Sequence, residues 1–211
     1  MSMCDGACPK LCITNRQLLT GTREDTPEVR AAFLARLEEI AQGHLADGVI
    51  LREKDLSAQQ YASLARAAYE ICHRYELPLI LHRFSAVAAE FAPPLPVHLS
   101  MPDFLAWRGQ NPSGNPIPAV GVSTHTVDEA LTAQRLGAAY ITASHIFPTT
   151  CKPGLPPRGL EYLRAVCSAV TIPVFALGGI HTAQIASCME VGAAGVCMMS
   201  EYYGPEFQLG R

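Results

Sequence analysis

The sequence predicts a single-domain α/β protein folded as a (β/α)8 barrel, and three observations carry that expectation. Eight short β-branched runs alternate with longer amphipathic ones from residue 11 to near the C-terminus, the pattern of parallel strands joined by right-handed crossovers. The 211 residues suit such barrels, which commonly run to about 200–250 residues as one domain. Polar residues gather just after the apolar runs, where a barrel places its chemistry. An open doubly wound sheet fits less well, because it usually has about five or six strands.

Leu11-Cys12-Ile13-Thr14-Asn15 reads as the first strand. Thr26-Pro27-Glu28 then supplies a cap, a proline for the first helical position and an early acid. The helix it opens places Val29, Phe33, Leu37 and Ile40 on one face. Gly48 to Arg52 is the second strand, and Ser57 to Tyr75 a helix with the stripe Tyr61, Leu64, Ala68 and Ile71. Leu79-Ile80-Leu81 precedes a short helix through Val87, Ala88 and Phe91, and Pro96 to Leu99 precedes a brief helix from Met101 to Trp107. Ala119 to Ser123 leads to a helix from Val127 to Leu136. Ala139 to Thr142 leads through a long loop to a helix from Leu160 to Ala169. Pro173 to Leu177, a helix from Thr182 to Val191, and the strand Gly195 to Met199 complete the alternation. Residues 1–10 read as a flexible cysteine-containing segment and residues 11–211 as the barrel.

Composition excludes several classes of partner. Sixteen Lys and Arg against 19 Asp and Glu leave no basic surplus for a nucleic-acid backbone. No apolar run approaches the roughly 20 residues that cross a bilayer, and the N-terminus lacks the charged and apolar regions of a signal peptide. A cytoplasmic protein is the expectation. Of the eight cysteines, Cys4, Cys8 and Cys12 recur every fourth residue. Gly6 and Pro9 argue against the helix that would align them, so a reduced tail is favoured over a metal site.

Reading only the positions after each strand gives a concentrated list. They are Asn15-Arg16, then Arg52, Glu53 and Lys54, then His82 and Arg83, then Ser100 and Asp103, then Ser123 and His125. The sixth strand adds His145, Thr149, Thr150, Cys151, Lys152 and Arg158; the seventh ends in Gly178-Gly179 and the eighth in Met199-Ser200. Bare Gly-Gly backbone at this point of a barrel suits a phosphate, and a tight turn is the plainer alternative. His125, between two threonines, suits proton transfer near neutral pH. His98, inside a strand, reads as a hydrogen-bonded core or rim residue, and His44 and His73 as groups at helix C-termini.

Taken together, the mouth segments resemble the thiamine phosphate synthase/TenI family. The matching pieces are residues 13–16, Leu51-Arg52-Glu53-Lys54-Asp55-Leu56, residues 98–103, Gly121-Val122-Ser123-Thr124-His125-Thr126, residues 145–152, Gly178-Gly179-Ile180 and Gly192-Ala193-Ala194-Gly195-Val196. The resemblance implies a TIM barrel of thiamine biosynthesis that binds small phosphorylated thiazole and pyrimidine ligands, with no nucleic-acid or membrane partner. Monomer and homodimer both stay open.

Two chemistries occur in that family. A synthase joins an aminopyrimidine diphosphate to thiazole phosphate, with magnesium on the leaving group; a tautomerase moves protons on a thiazole carboxylate phosphate and needs no cofactor. For the synthase, the resemblance assigns Arg52 and Lys54 to the diphosphate, Asp103 to magnesium, Ser123 to the family's serine after strand five, Lys152 to its loop lysine, and Gly178, Gly179, Met199 and Ser200 to the thiazole phosphate. The family's Asn-Asp after the third strand reads here as His82-Arg83, a charge reversal at the metal position. Substrate oxygens or a displaced acid such as Glu53 would have to assist Asp103. The run Thr150-Cys151-Lys152-Pro153-Gly154 followed by Arg158-Gly159, and His125, are closer to the TenI branch, while Lys54 and Asp103 are closer to the synthase.

The leading expectation is therefore a TenI-like tautomerase. His125 would be its acid/base, aided by Ser123 and Lys152, with Arg52, Lys54, His82, Arg83, Thr149 and Cys151 in ligand contact. The alternatives are a thiamine phosphate synthase and a non-catalytic barrel that binds thiamine phosphates.

Overall fold

The computed structural model describes residues 8–111, 116–149, 154–204 and 207. Eight parallel strands form a closed barrel: β1 (Lys10–Ile13), β2 (Gly48–Leu51), β3 (Leu79–His82), β4 (Val97–Ser100), β5 (Val120–Thr124), β6 (Tyr140–Ser144), β7 (Val174–Leu177) and β8 (Gly195–Met198). Each pairs with its successor, and β8 returns to β1 with Cys197 opposite Leu11. Among the described residues no helix is long and apolar enough to cross a membrane.

The helices are α1 (Arg16–Thr20), α2 (Pro27–Gln42), α3 (Ala58–Arg74), α4 (Ser85–Ala89), α5 (Met101–Gln110), α6 (Val127–Arg135), α7 (Gly159–Ala169), α8 (Ile185–Glu190) and α9 (Ser200–Tyr203), with a 3-10 turn at Thr182–Gln184 leading into α8. Their starts follow from local chemistry. Thr26 Oγ1 accepts from Val29 N ahead of Pro27, and Ser57 with Gln60 forms a reciprocal capping box. Phe33, Leu37 and Ile40 of α2 and Tyr61, Leu64, Ala68 and Ile71 of α3 are buried in the layer between strands and helices. Val29 stays partly exposed in the first turn of α2. Cys12 also points into this layer, fully buried, where desolvation pushes its thiol up. Cys4 lies outside the described residues.

Period-two alternation divides each strand between this layer and the barrel axis. Leu11, Ile13, Ile50, Ile80, Phe175 and Cys197 form an apolar inner cluster. The β4–β6 side of the interior is polar instead, because His98 and the Tyr140 hydroxyl meet there. Gly121 makes room for this arrangement. A Cβ on it would stand 2.1 Å from Tyr140 Cζ, so any larger residue would expel the ring.

One short helix departs from the sequence expectation. α1 begins where the first strand was expected to end, because Asn15 Oδ1 caps it by accepting from Leu18 N. The last helix, α9, is short and follows β8 at once. Elsewhere the strand limits fall within two residues of those read from the apolar runs.

Candidate active site

The first surprise at the mouth concerns Arg16 and Glu53, both read as mouth residues. Arg16 is fully buried, and its guanidinium pairs with Asp25 at 2.9 Å and Asp55 at 2.7 Å while also donating to Arg23 O. Glu53 is 3% exposed, accepting from Thr14 Oγ1 at 2.7 Å and, through both oxygens, from Arg16 N at 3.1 Å. Burial outweighs these bonds and pushes its carboxyl up to about 7. Thr14 Oγ1 in turn accepts from Arg52 N at 2.8 Å. Glu53 and Asp55 are thus committed to fastening α1 beneath the β2 loop, and Glu53 is not available to assist Asp103 with a cation.

Arg52 and Lys54 alternate with these acids and lie near the end of β3. There, burial first, then the charge or imidazole of His98, Arg52, Lys54 and Arg83, pushes the His82 imidazole down to about 2. His82 is therefore a neutral ring, stacked on His98 with 6.2 Å between centroids. Arg83 adopts the left-handed region at φ 73, uncommon for a residue with a Cβ. Its amide donates to His98 O at 3.0 Å, which holds it at the strand end.

His98 is the centre of the polar side. Its Nδ1 lies 3.0 Å from Tyr140 Oη and its Nε2 2.8 Å from Ser123 Oγ, and burial pushes the ring down to about 4. Thr142 Oγ1 donates to the same Ser123 Oγ at 3.4 Å. Sequence reasoning read His98 as a bonded core or rim residue, which it is, but gave it, Tyr140 and Thr142 no part in the site. The signal was present: Tyr140, Thr142 and Ser144 are the alternate positions of one strand, and polar residues at that period face one side.

His125 sits over the C-terminal end of β6. Its Nδ1 lies 3.1 Å from both Ser144 O and Ser144 Oγ, which together hold the ring over the strand end. Glu129 Oε2 fixes the residue from below by accepting from His125 N at 2.6 Å.

On the far side, Gly178 and Gly179 have φ of 101 and 65, which a side chain would resist. A Cβ on Gly178 would meet His145 Cβ at 2.4 Å, and one on Gly179 would meet Pro148 O at 2.2 Å. The pair therefore also lets the β6 loop lie against β7, with Phe147 N donating to Gly178 O. Met199 accepts from Asn15 Nδ2 at 3.4 Å, and Ser200 is exposed at the start of α9. His181 Nδ1, 2.6 Å from Glu201 Oε1, ties the β7 loop to α9. Thr149 is partly buried; Thr150, Cys151 and Lys152 lie outside the described residues.

Magnesium would need oxygen ligands here. Asp103 is exposed and accepts from Ser100 Oγ at 2.7 Å within the cap of α5. Its companion position after β3 carries Arg83, and a guanidinium there repels a divalent ion instead of ligating it. No group of three His, Cys, Asp or Glu suited to a metal occurs among the described residues. The residues present do not fit a two-carboxylate magnesium site. A separate cleft of about 890 Å³ opens at the other end of the strands, between the end of α3 and residues 93–96. That end of such a barrel serves stability, so the ionisable mouth is the candidate site.

Comparison with known proteins agrees with the barrel fold. A family model described as thiamine monophosphate synthase matches residues 17–202. The chain is 34% identical over 185 residues to thiamine-phosphate synthase 2 of Streptococcus pneumoniae, covering 87% of this chain and 85% of that protein. It is 31% identical over 200 residues to thiamine-phosphate synthase of Clostridium tetani, covering 94% and 90%. In three dimensions it superposes on thiamine phosphate pyrophosphorylase from Pyrococcus furiosus with a TM-score of 0.75, at 24% identity, over 94% of this chain and 89% of that one. An N-acetylmannosamine-6-phosphate 2-epimerase from Clostridium perfringens shares the fold at a TM-score of 0.60 and 11% identity, over 93% and 88%.

Proposed function

The chain belongs to the thiamine monophosphate synthase/TenI family and is an enzyme acting on thiamine-phosphate intermediates; from that premise, we propose that it joins an aminopyrimidine diphosphate to thiazole phosphate. The observation that carries this reading is the split of the mouth. Arg52, Lys54 and Arg83 gather near the ends of β2 and β3. The bare backbone of Gly178 and Gly179, with α9, lies across the opening at β7 and β8. Two separated anion-binding ends suit two substrates that each carry phosphate. The relatives named as thiamine-phosphate synthases support the same choice over tautomerisation.

In this reading the C–O bond to the diphosphate breaks with its electron pair leaving on oxygen. The thiazole nitrogen lone pair then forms the new C–N bond, so no proton or redox equivalent is consumed. The cations stabilise the charge that develops on the leaving diphosphate. Ser123, held by His98, presents a hydroxyl to the pyrimidine side of the reacting pair. His82, neutral and stacked on His98, offers a flat surface for a heteroaromatic ring.

One observation favours the tautomerase reading on the same thiazole phosphate. His125, an imidazole at the mouth held through Nδ1 by Ser144 O and Oγ, is of the residue type that acid/base proton transfer uses. Incubating the protein with both substrates and measuring diphosphate separates the two, because tautomerisation releases none.

A further inference from the structure

We propose that this mouth grips a diphosphate directly through Arg52, Lys54 and Arg83, with Arg83 standing in for a carboxylate-held divalent ion. The inference rests on the reading that the mouth takes a diphosphate ester. It departs from that reading's usual chemistry because the side chains do.

The argument begins with where the acids are. Of the carboxylates nearest the cationic side, Glu53 and Asp55 face the buried Arg16. Asp103 accepts from Ser100 Oγ at 2.7 Å and completes the start of α5. No carboxylate among the described residues makes an ion pair with Arg83. Arg83 is exposed at the end of β3, held in its left-handed conformation by the bond to His98 O. A cation carried there repels a metal and attracts diphosphate oxygens.

Guanidinium chemistry suits the exchange. A planar fork of N–H donors binds two phosphate oxygens at once, and it stays charged at any physiological pH. His82 fits the same picture from the neighbouring position. As a neutral ring it adds no further positive charge beside Arg52, Lys54 and Arg83.

Calorimetric titration with inorganic pyrophosphate, in chelator and in magnesium, tests this on the full chain. The wild-type protein is expected to bind pyrophosphate in chelator within about threefold of its affinity in magnesium, under 1 kcal/mol by the tenfold-per-1.4 kcal/mol relation. Arg83→Ala and Arg83→Asp are expected to weaken binding in chelator by at least ~10-fold. Unchanged circular dichroism and unchanged thiazole phosphate binding would show both variants folded. Wild-type binding that appears only with magnesium overturns the inference, as does an Arg83→Asp variant that binds pyrophosphate normally in chelator. Metal-free pyrophosphate binding without coupling of the two substrates would sink the synthase reading and leave this inference standing. Coupling and pyrophosphate binding that both demand magnesium would do the reverse.

Discussion

His98 Nε2 lies 2.8 Å from Ser123 Oγ, and the opposite ring nitrogen lies 3.0 Å from Tyr140 Oη. One imidazole thus couples the end of β5 to the start of β6 through the inside of the barrel. Burial keeps it neutral, so it holds one donor and one acceptor and satisfies both hydroxyls.

Replacing His98 with alanine is expected to leave the Tyr140 hydroxyl without its imidazole partner, while Ser123 Oγ keeps the bond from Thr142. A buried group left without a partner costs about 1–3 kcal/mol, so urea unfolding should show a loss of about that size. Ser123→Ala removes only one hydroxyl and should cost far less stability while still lowering turnover. A His98→Ala variant as stable as the wild type would contradict the anchoring role.

Arg16 holds the β1 loop through buried charge. Arg16→Met removes the guanidinium from Asp55 and Asp25, of which only Asp25 keeps a second cation, Arg30 at 2.6 Å. Breaking a buried pair typically costs about 3–5 kcal/mol, and with Asp55 partly exposed the lower end is expected. Denaturant unfolding measures it, and a change below ~1 kcal/mol would show the network to be dispensable.

Glu53 should make stability depend on pH in an unusual direction. Its carboxyl has an ordinary value of 4.5 and is raised to about 7 in the fold, chiefly by burial. Between those values the folded chain holds a proton that the unfolded chain has released. The contribution of Glu53 to stability therefore falls as pH rises from about 4.5 to about 7, and is level above. Glu53→Gln should flatten that part of the profile; an unchanged slope in thermal unfolding across the window would reject the assignment.

The fold was legible because strand burial leaves a strong trace. In β2 all four residues, Gly48 to Leu51, are buried, and the run reads directly as apolar. The capped start of α3 at Ser57 was equally visible. Less legible was the direction in which polar side chains face. Arg52, Glu53, Lys54 and Asp55 read as one charged cluster, yet the two acids bind Arg16 and its loop while the cations lie toward His82. That separation depends on α1, whose five residues carry too little periodicity to announce a helix. The polar lining from β6 was hidden for another reason. Tyr140 and Thr142 also suit an ordinary strand, and only closure of the barrel brings them to His98 and Ser123.

The central claim is coupling of two phosphorylated rings with loss of diphosphate. Its most direct test is the amount of diphosphate and of thiamine phosphate formed from an aminopyrimidine diphosphate and thiazole phosphate. The account predicts equal amounts of both products, with turnover reduced in Arg52→Ala and Arg83→Ala. Thiazole phosphate binding without any diphosphate release would contradict it and return the site to proton transfer by His125.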